Sequence, residues 1–360
     1  MARSNGGQAV YQLAALVIIC AGLHWAAPVF VPFLLALFIS MLSSPIVLFM
    51  TDRKVPRPIA VIGVLLMDIA AVTGVVFLFV RAATDFYSAW PRYAVLFQRV
   101  IDDFALWINE RGGHVTADSF YSYADTNALV TLATETAAQA AHAFGNLVVV
   151  LLIVAFLLLE STVLRAKLSM ILRDPDDDIE RFTGIAQDVQ KYLFVKTVTS
   201  FATAILVGLI VVIFDVDFPL LWALFAFFLN FLPSVGSIIA GIPPILLTLA
   251  QHGFGSALAM FTTYTVINFT IGNFIEPRVM GRALGLSVVV VFVSMLFWGW
   301  LWGPVGAFLA VPLTMTAKII LSYTDDLQWV AVLIGAPPEK QDVERALSMR
   351  PPKVPTIPPV

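Results

Sequence analysis

Four stretches in the first 160 residues, 8–27, 28–50, 58–80 and 144–159, are almost uninterrupted runs of apolar side chains. About 20 such residues are what a helix needs to cross the hydrocarbon core of a bilayer. Of the 360 residues 59% are hydrophobic and 12% charged, and the mean hydropathy is +0.90, which excludes an ordinary soluble domain. The fold class expected is therefore an all-α polytopic membrane protein. A formal net charge of -3 leaves no basic excess for a nucleic-acid partner, so lysines and arginines are read as orientation signals. Cys20 stands alone in an apolar run, which rules out an internal disulfide and makes it a buried small hydrophobe. Arg3 and the small residues Ala26 and Ala27 imitate a cleaved leader, but Pro28 opens a second apolar run at once, and the pair reads as a transmembrane hairpin.

Arg53, Lys54 and Arg57 in one connection, and Arg165, Lys167, Arg173, Arg181, Lys191 and Lys196 in another, place both connections in the cytoplasm. Both termini then lie inside. The organisation expected is membrane helices 1 to 3 in 1–81, an extracytoplasmic helical insert in 82–142 and membrane helix 4 in 143–160. A cytoplasmic amphipathic helical segment follows in 161–194, then a transport core with broken helices in 195–323. Residues 324–360 form a cytoplasmic interfacial helix and a disordered Pro-rich tail. In 161–194 the aspartates of "RDPDDDIERF" suit a helix N-terminus, and Ile179, Phe182, Ile185, Val189 and Leu193 form an apolar face. In the insert, Phe86, Trp90, Tyr93, Phe97, Val100, Phe104 and Trp107 alternate steps of four and three, a heptad seam. Pro91 marks a kink or a first turn, and Gly112-Gly113 ends the helix. The seam packs either on the insert's own second arm, 116–141, or on another subunit.

From residue 218 onward, proline and glycine interrupt the apolar pattern in mid-segment: "FPLLWALFAFFLNFLPSVGSIIAGIPPILLTLA". A proline inside a helix frees a carbonyl, and an unanswered backbone group in hydrocarbon costs several kcal/mol. Such breaks survive where protein or a water-filled cavity receives the freed groups, so 230–236 is a candidate lining of a passage. A second interruption, "FWGWLWGPVGAFLAVPLTMTAKII", echoes the first: Pro233, Gly236, Ala240 and Pro243 against Pro304, Gly306, Ala310 and Pro312. Paired interrupted segments of this kind point to a binding site in transporters built from repeats.

Polar groups at membrane depth are the next signal. Asp68, in mid-span, costs roughly 3 kcal/mol on insertion scales and must face the protein interior, as a structural carboxyl or as a proton or cation site. Asn230, Asn268 and Asn273 can donate and accept at once, which suits either a polyhydroxylated solute or helix-to-helix bonding; each alone reads as packing, and together with Glu276, beside the breaks, they favour a pathway. Glu160 and Lys318 lie near helix ends, and His24 reads as a satisfied polar group near the interface. There is no zinc motif, P-loop, nucleophile elbow or second membrane aspartate to pair with Asp68. No enzyme activity, metal or cofactor is expected, and transport would run on an ion gradient or the solute's own.

"GNFIEPRVMGRALGLSVVVVFVSMLFWGWLWGPVGAFLAVPLTMTAKI", with "NFLPSVGSIIAGIPP" and "QKYLFVKTVTSFATA", closely resembles the autoinducer-2 exporter family of bacterial inner-membrane proteins. The resemblance implies about eight transmembrane helices, homo-oligomers, and members assigned either to signal export or to sodium/proton antiport. It places emphasis on Pro233 and Gly236, on Glu276, Pro277 and Gly281, and on Trp298, Gly299, Gly303, Gly306 and Pro312. In the joint "EPRVMGRALG", Pro277 is expected to stop a helix and Gly281 and Gly285 to let the chain turn, with Arg278 and Arg282 setting it at the cytoplasmic face. Glu276 then pairs with one of those arginines, or takes a cation or proton.

The function expected is secondary export of a small polar solute such as autoinducer-2 across the lipid bilayer. The alternatives are a sodium/proton antiporter titrating Asp68 and Glu276, and a nontransporting envelope scaffold assembled as a homo-oligomer through 82–142.

Overall fold

The computed structural model describes residues 5–111, 147–160, 175–233, 235–280, 286–322 and 328–335. The insert's second arm, residues 161–174, Gly281, Arg282, Gly285 and the Pro-rich tail lie outside the described residues. The described chain is helical: α1 (Asn5–Trp25), α2 (Ala27–Asp52), α3 (Arg57–Glu110), α4 (Leu147–Glu160), α5 (Pro175–Ile213) and α6 (Pro219–Leu229). Then come α7 (Val235–Thr270), a π-helical turn (Ile271–Ile275), α8 (Glu276–Met280), α9 (Val288–Phe308), α10 (Ala310–Ser322) and α11 (Gln328–Ile334). No strand occurs among the described residues, only an isolated bridge between Leu286 and Gly335. By length and composition α2, α3, the Ala186–Ile213 part of α5, the run Val235–Met280, and Val289–Phe308 of α9 can each cross a membrane; α4, α6 and α10 are shorter and apolar. The chain is an all-α polytopic membrane protein.

α3 continues past its membrane stretch and through Pro91 to Glu110, so the first arm of the insert is the prolonged third span. Its seam is divided between two surroundings. The Phe86 ring meets Phe218 and Trp222 edge-on at 5.4 and 5.6 Å, and Trp90 and Tyr93 are buried in the same cluster with Val211 and Leu221. Farther out, Phe104 and Trp107 stack on each other at 6.0 Å, half exposed, with Arg111 over the Trp107 ring. The inner half of the aromatic stripe therefore packs on α6 of its own chain.

α5 is also continuous, so the amphipathic face of the preceding segment is the front end of a span. Val189, Leu193 and Tyr192 are buried against Phe38 of α2 and against Met280, Leu286, Leu309 and Met315. Val150, Val154 and Leu158 of α4 fill a separate core with α2 and α3.

α6 is about 16 Å long at 1.5 Å per residue, too short for the ~30 Å core. The chain turns at Asn230–Pro233 and returns along α7, and Gln251 Nε2 donates to Asp217 Oδ2 at 2.7 Å, beside the residue that precedes α6. Both ends of 218–251 therefore lie on the side where α5 ends, and the segment is re-entrant. Tyr93 Oη donates to the same carboxylate, Trp222 Nε1 to Asp217 O at 2.9 Å and His252 Nε2 to Asp215 O at 2.9 Å, clamping the entry to α3 and α7. At Gly253 (φ 80) α7 reverses into a second arm, bringing Tyr264 against Gly241.

α9 breaks at Trp302 and Gly303 (φ 66), and α10 runs back beside it, with Trp298 Nε1 donating to Thr314 Oγ1 at 2.9 Å. The α9 break is tied to α1 by hydrogen bonds in both directions. His24 Nδ1 donates to Leu301 O at 2.8 Å, and Trp302 Nε1 donates to Leu23 O at 3.1 Å. Pro45 leaves Met41 O without its helical donor; Gln190 Nε2 supplies one at 2.6 Å.

Candidate functional site

The two arms of α7, together with α5, enclose a cavity of about 810 Å³. Each arm lines it at helical spacing, the first through Ser237, Ile238, Gly241, Ile242 and Ile245, the second through Phe261, Tyr264, Thr265, Asn268 and Asn273. Steps of four residues overshoot a 3.6-residue turn. The π-helical turn at Ile271–Ile275 absorbs that overshoot and keeps Asn268, Gly272 and Glu276 on one wall. Pro277 accounts for the wider turn, since its ring would clash with the carbonyl four residues back in α geometry; the Glu276 N–H instead reaches Ile271 O. Pro277 thus does not stop the helix, as the sequence suggested, and the helix runs on to Met280.

At one end of the cavity Lys196 Nζ lies 2.6 Å from Glu276 Oε1, the two side chains 6% and 15% exposed. This partner is not Arg278, one of the two arginines that the sequence offered; the other, Arg282, lies outside the described residues. Arg278 lies over the Phe274 ring, while Lys196, read from the sequence as a cytoplasmic charge, is buried within α5 one turn after Tyr192. Its signal was present in "QKYLFVKTVTSF": a lysine already one turn inside an apolar run.

The first break supplies the adjoining wall. Asn230 Nδ2 donates to Ser200 Oγ of α5 at 3.0 Å, and Ser237 Oγ donates to Asn230 Oδ1 at 3.3 Å, so the turn is tied to α5 and to its own return arm. Asn268 Nδ2 donates to Tyr264 O at 3.0 Å and Asn273 Nδ2 to Phe269 O at 3.2 Å. Their amide protons are partly used by the helix itself, which leaves the carboxamide oxygens as acceptors. The Tyr264 hydroxyl is buried beside Asn268, yet it is not at hydrogen-bonding geometry with any described group.

Among the residues singled out from sequence, Asn230, Pro233, Asn268, Asn273, Glu276 and Pro277 come together around this cavity. Gly236 and Pro243 belong to the same re-entrant segment but do not line it, and Gly281 lies outside the described residues. Gly303, Gly306 and Pro312 belong to the α9–α10 break, which packs on α1 and α2: Trp302 stacks on Phe30 at 6.1 Å. The two breaks still touch, through Phe231 and Phe308 stacked at 4.2 Å. Asp68 is elsewhere, 8% exposed at the α2–α3 interface, where Ser43 Oγ donates to its carboxylate at 2.9 Å.

A family model described as AI-2E family transporter matches residues 13–326. The chain is 37% identical over 331 residues to the AI-2 transport protein TqsA of Escherichia coli (strain K12), covering 92% of this chain and 96% of that protein. It is 34% identical over 329 residues to a protein of Haemophilus influenzae provisionally named a transport protein, covering 90% and 94%. A similarly named protein of Escherichia coli (strain K12), YhhT, is 32% identical over 331 residues, covering 92% and 95%.

Proposed function

This chain belongs to the AI-2E transporter family, and we propose that within it the protein exports a small polar metabolite or signal through the α7 cavity. The barrier crossed is the bacterial inner membrane, with both chain termini in the cytoplasm. Autoinducer-2 is one candidate solute, since a relative similar over nearly the whole chain carries that name. The observation that carries the reading is the buried Lys196–Glu276 pair in a cavity whose walls are a re-entrant turn and a π-helical turn. Buried charge is costly in a membrane protein and marks solute or ion routes, and π-turns recur at functional sites.

Loading autoinducer-2 or a four-carbon polyol into inverted vesicles tests the assignment. Asn268→Leu is expected to cut uptake at least tenfold at unchanged membrane abundance, whereas Asp68→Asn, at a remote interface, stays within twofold. Unchanged uptake in Asn268→Leu and Glu276→Gln together would remove the cavity from the route.

The ion pair also favours a second reading, sodium/proton antiport in which a cation displaces Lys196 from Glu276. A sodium-driven pH change abolished by Glu276→Gln and preserved in Asp68→Asn would select it. For assembly as a homo-oligomer, Leu106 and Trp107, exposed at the outer end of the described part of the insert, offer a surface to a second copy.

A further inference from the structure

We propose that, besides a small polar solute, the cavity admits an uncharged, hydroxyl-bearing amphiphile that enters sideways from the bilayer; the proposal rests on the α7 cavity being the substrate route.

Three observations converge. The cavity walls are mostly apolar, and their lips reach the outer surface of the chain: Ile238 is 67% exposed on one arm, Phe261 and Phe269 are 52% and 56% exposed on the other. At membrane depth such an opening faces hydrocarbon, a path for a molecule that already partitions there. Beyond the ion pair, the polar lining is Asn230, Ser237, Thr265, Asn268, Asn273 and the Tyr264 hydroxyl, set among apolar side chains. These include the carboxamide oxygens of Asn268 and Asn273 and the buried Tyr264 hydroxyl, which no described group meets at hydrogen-bonding geometry. A buried hydroxyl without a partner is costly unless a ligand supplies one, and acceptors beside it select a ligand that donates, such as an alcohol. The only buried charges among the described lining residues, Lys196 and Glu276, neutralise each other at 2.6 Å. A charged ligand would have to part them away from water, which disfavours anionic phospholipids as well as carboxylates. The volume, about 810 Å³, lies toward the upper end of the roughly 300–1,000 Å³ typical of pockets for drug-sized ligands. A five-carbon polyol alone would leave much of that space unfilled, next to isoleucines and phenylalanines.

The test is photolabelling of the full chain in phosphatidylcholine liposomes with a diazirine-bearing decane-1,2-diol, with adducts located by peptide mass spectrometry. Adducts are expected on 238–246 and 261–269, at least fivefold denser than around the lipid-facing Phe77 and Leu209. Tyr264→Phe should lower the cavity adducts at least fivefold and leave those at Phe77 and Leu209 unchanged. Unlabelled decane-1,2-diol should protect, glycerol should not, and decanoate should protect at least tenfold less well. Protection by glycerol equal to that of the diol would mean a purely polar ligand, and equal protection by decanoate a charged one. Adducts no denser in the cavity than at the lipid-facing controls would mean solvation by lipid only. Disulfide dimers of Ile238→Cys in a Cys20→Ala background would mean that a second copy closes the portal. Each of these four results overturns the proposal. If labelling fails while Asn268→Leu still blocks export, the route stands and the amphiphile falls. If labelling succeeds and export ignores the cavity variants, the site stands and the route falls.

Discussion

Lys196→Ala is expected to abolish transport and to destabilise the folded protein by about 3–5 kcal/mol, the cost of leaving one member of a buried ion pair alone. Glu276 has no other described cation at ion-pair distance, and its side chain is only 15% exposed, so water replaces the lost ammonium only in part. Neutralising both groups, as Lys196→Met with Glu276→Gln, removes the buried charge and should recover most of the stability but not the transport. Reversing both, as Lys196→Glu with Glu276→Lys, should recover stability and part of the transport. Thermal unfolding in detergent and vesicle uptake, measured on the same preparations, separate these outcomes. If Lys196→Ala melts like the parent protein, the pair is not closed in the resting state and the site geometry is wrong.

Alanine at either of two glycines should be nearly as damaging, for a steric reason. A methyl on Gly236 would press on the Leu229 carbonyl, 2.6 Å from its carbon, and lie 2.9 Å from Leu232 Cβ. On Gly306 it would press on the Trp298 carbonyl, 2.8 Å from its carbon, and lie 3.0 Å from Trp302 Cβ. The obstacle is backbone in both cases, so relief requires unwinding the last turn of the preceding helix. About 3 kcal/mol, at the upper end of ordinary overpacking, is the loss expected for each. Gly255→Ala, where nothing lies within 4 Å of the added methyl, is the control and should fold normally. Yield of monodisperse protein and its melting temperature report the difference. Tolerance of Gly236→Ala would show that the re-entrant turn is looser than described.

These corners give the echo between the two interrupted segments a physical content. In each, a glycine closes a helical turn onto a carbonyl seven or eight residues earlier, and that is why glycine, four residues before alanine, recurs in both. Their similarity in sequence did not mean equal roles. The first corner borders the cavity through Asn230 and Pro233, whereas the second is tied to α1 through His24.

The sequence by itself determined the membrane class, the apolar segments and the interruptions at 230–236 and around Pro304, because hydropathy and proline or glycine act through local backbone chemistry. It also collected Asn230, Asn268, Asn273 and Glu276 as polar groups near breaks. Only the tertiary structure decided which of them share a cavity and which charge answers Glu276. Lys196 and Glu276 lie on helices separated by a re-entrant turn and a reversal at Gly253, and their meeting is a long-range contact that no local spacing encodes. Pro277 shows the same division: its inability to donate a hydrogen bond is local, but whether the chain stops or widens into a π-turn depends on what packs around it. Asp68 was correctly turned inward by the cost of burying charge, and packing alone gave it Ser43 as a partner, away from the cavity.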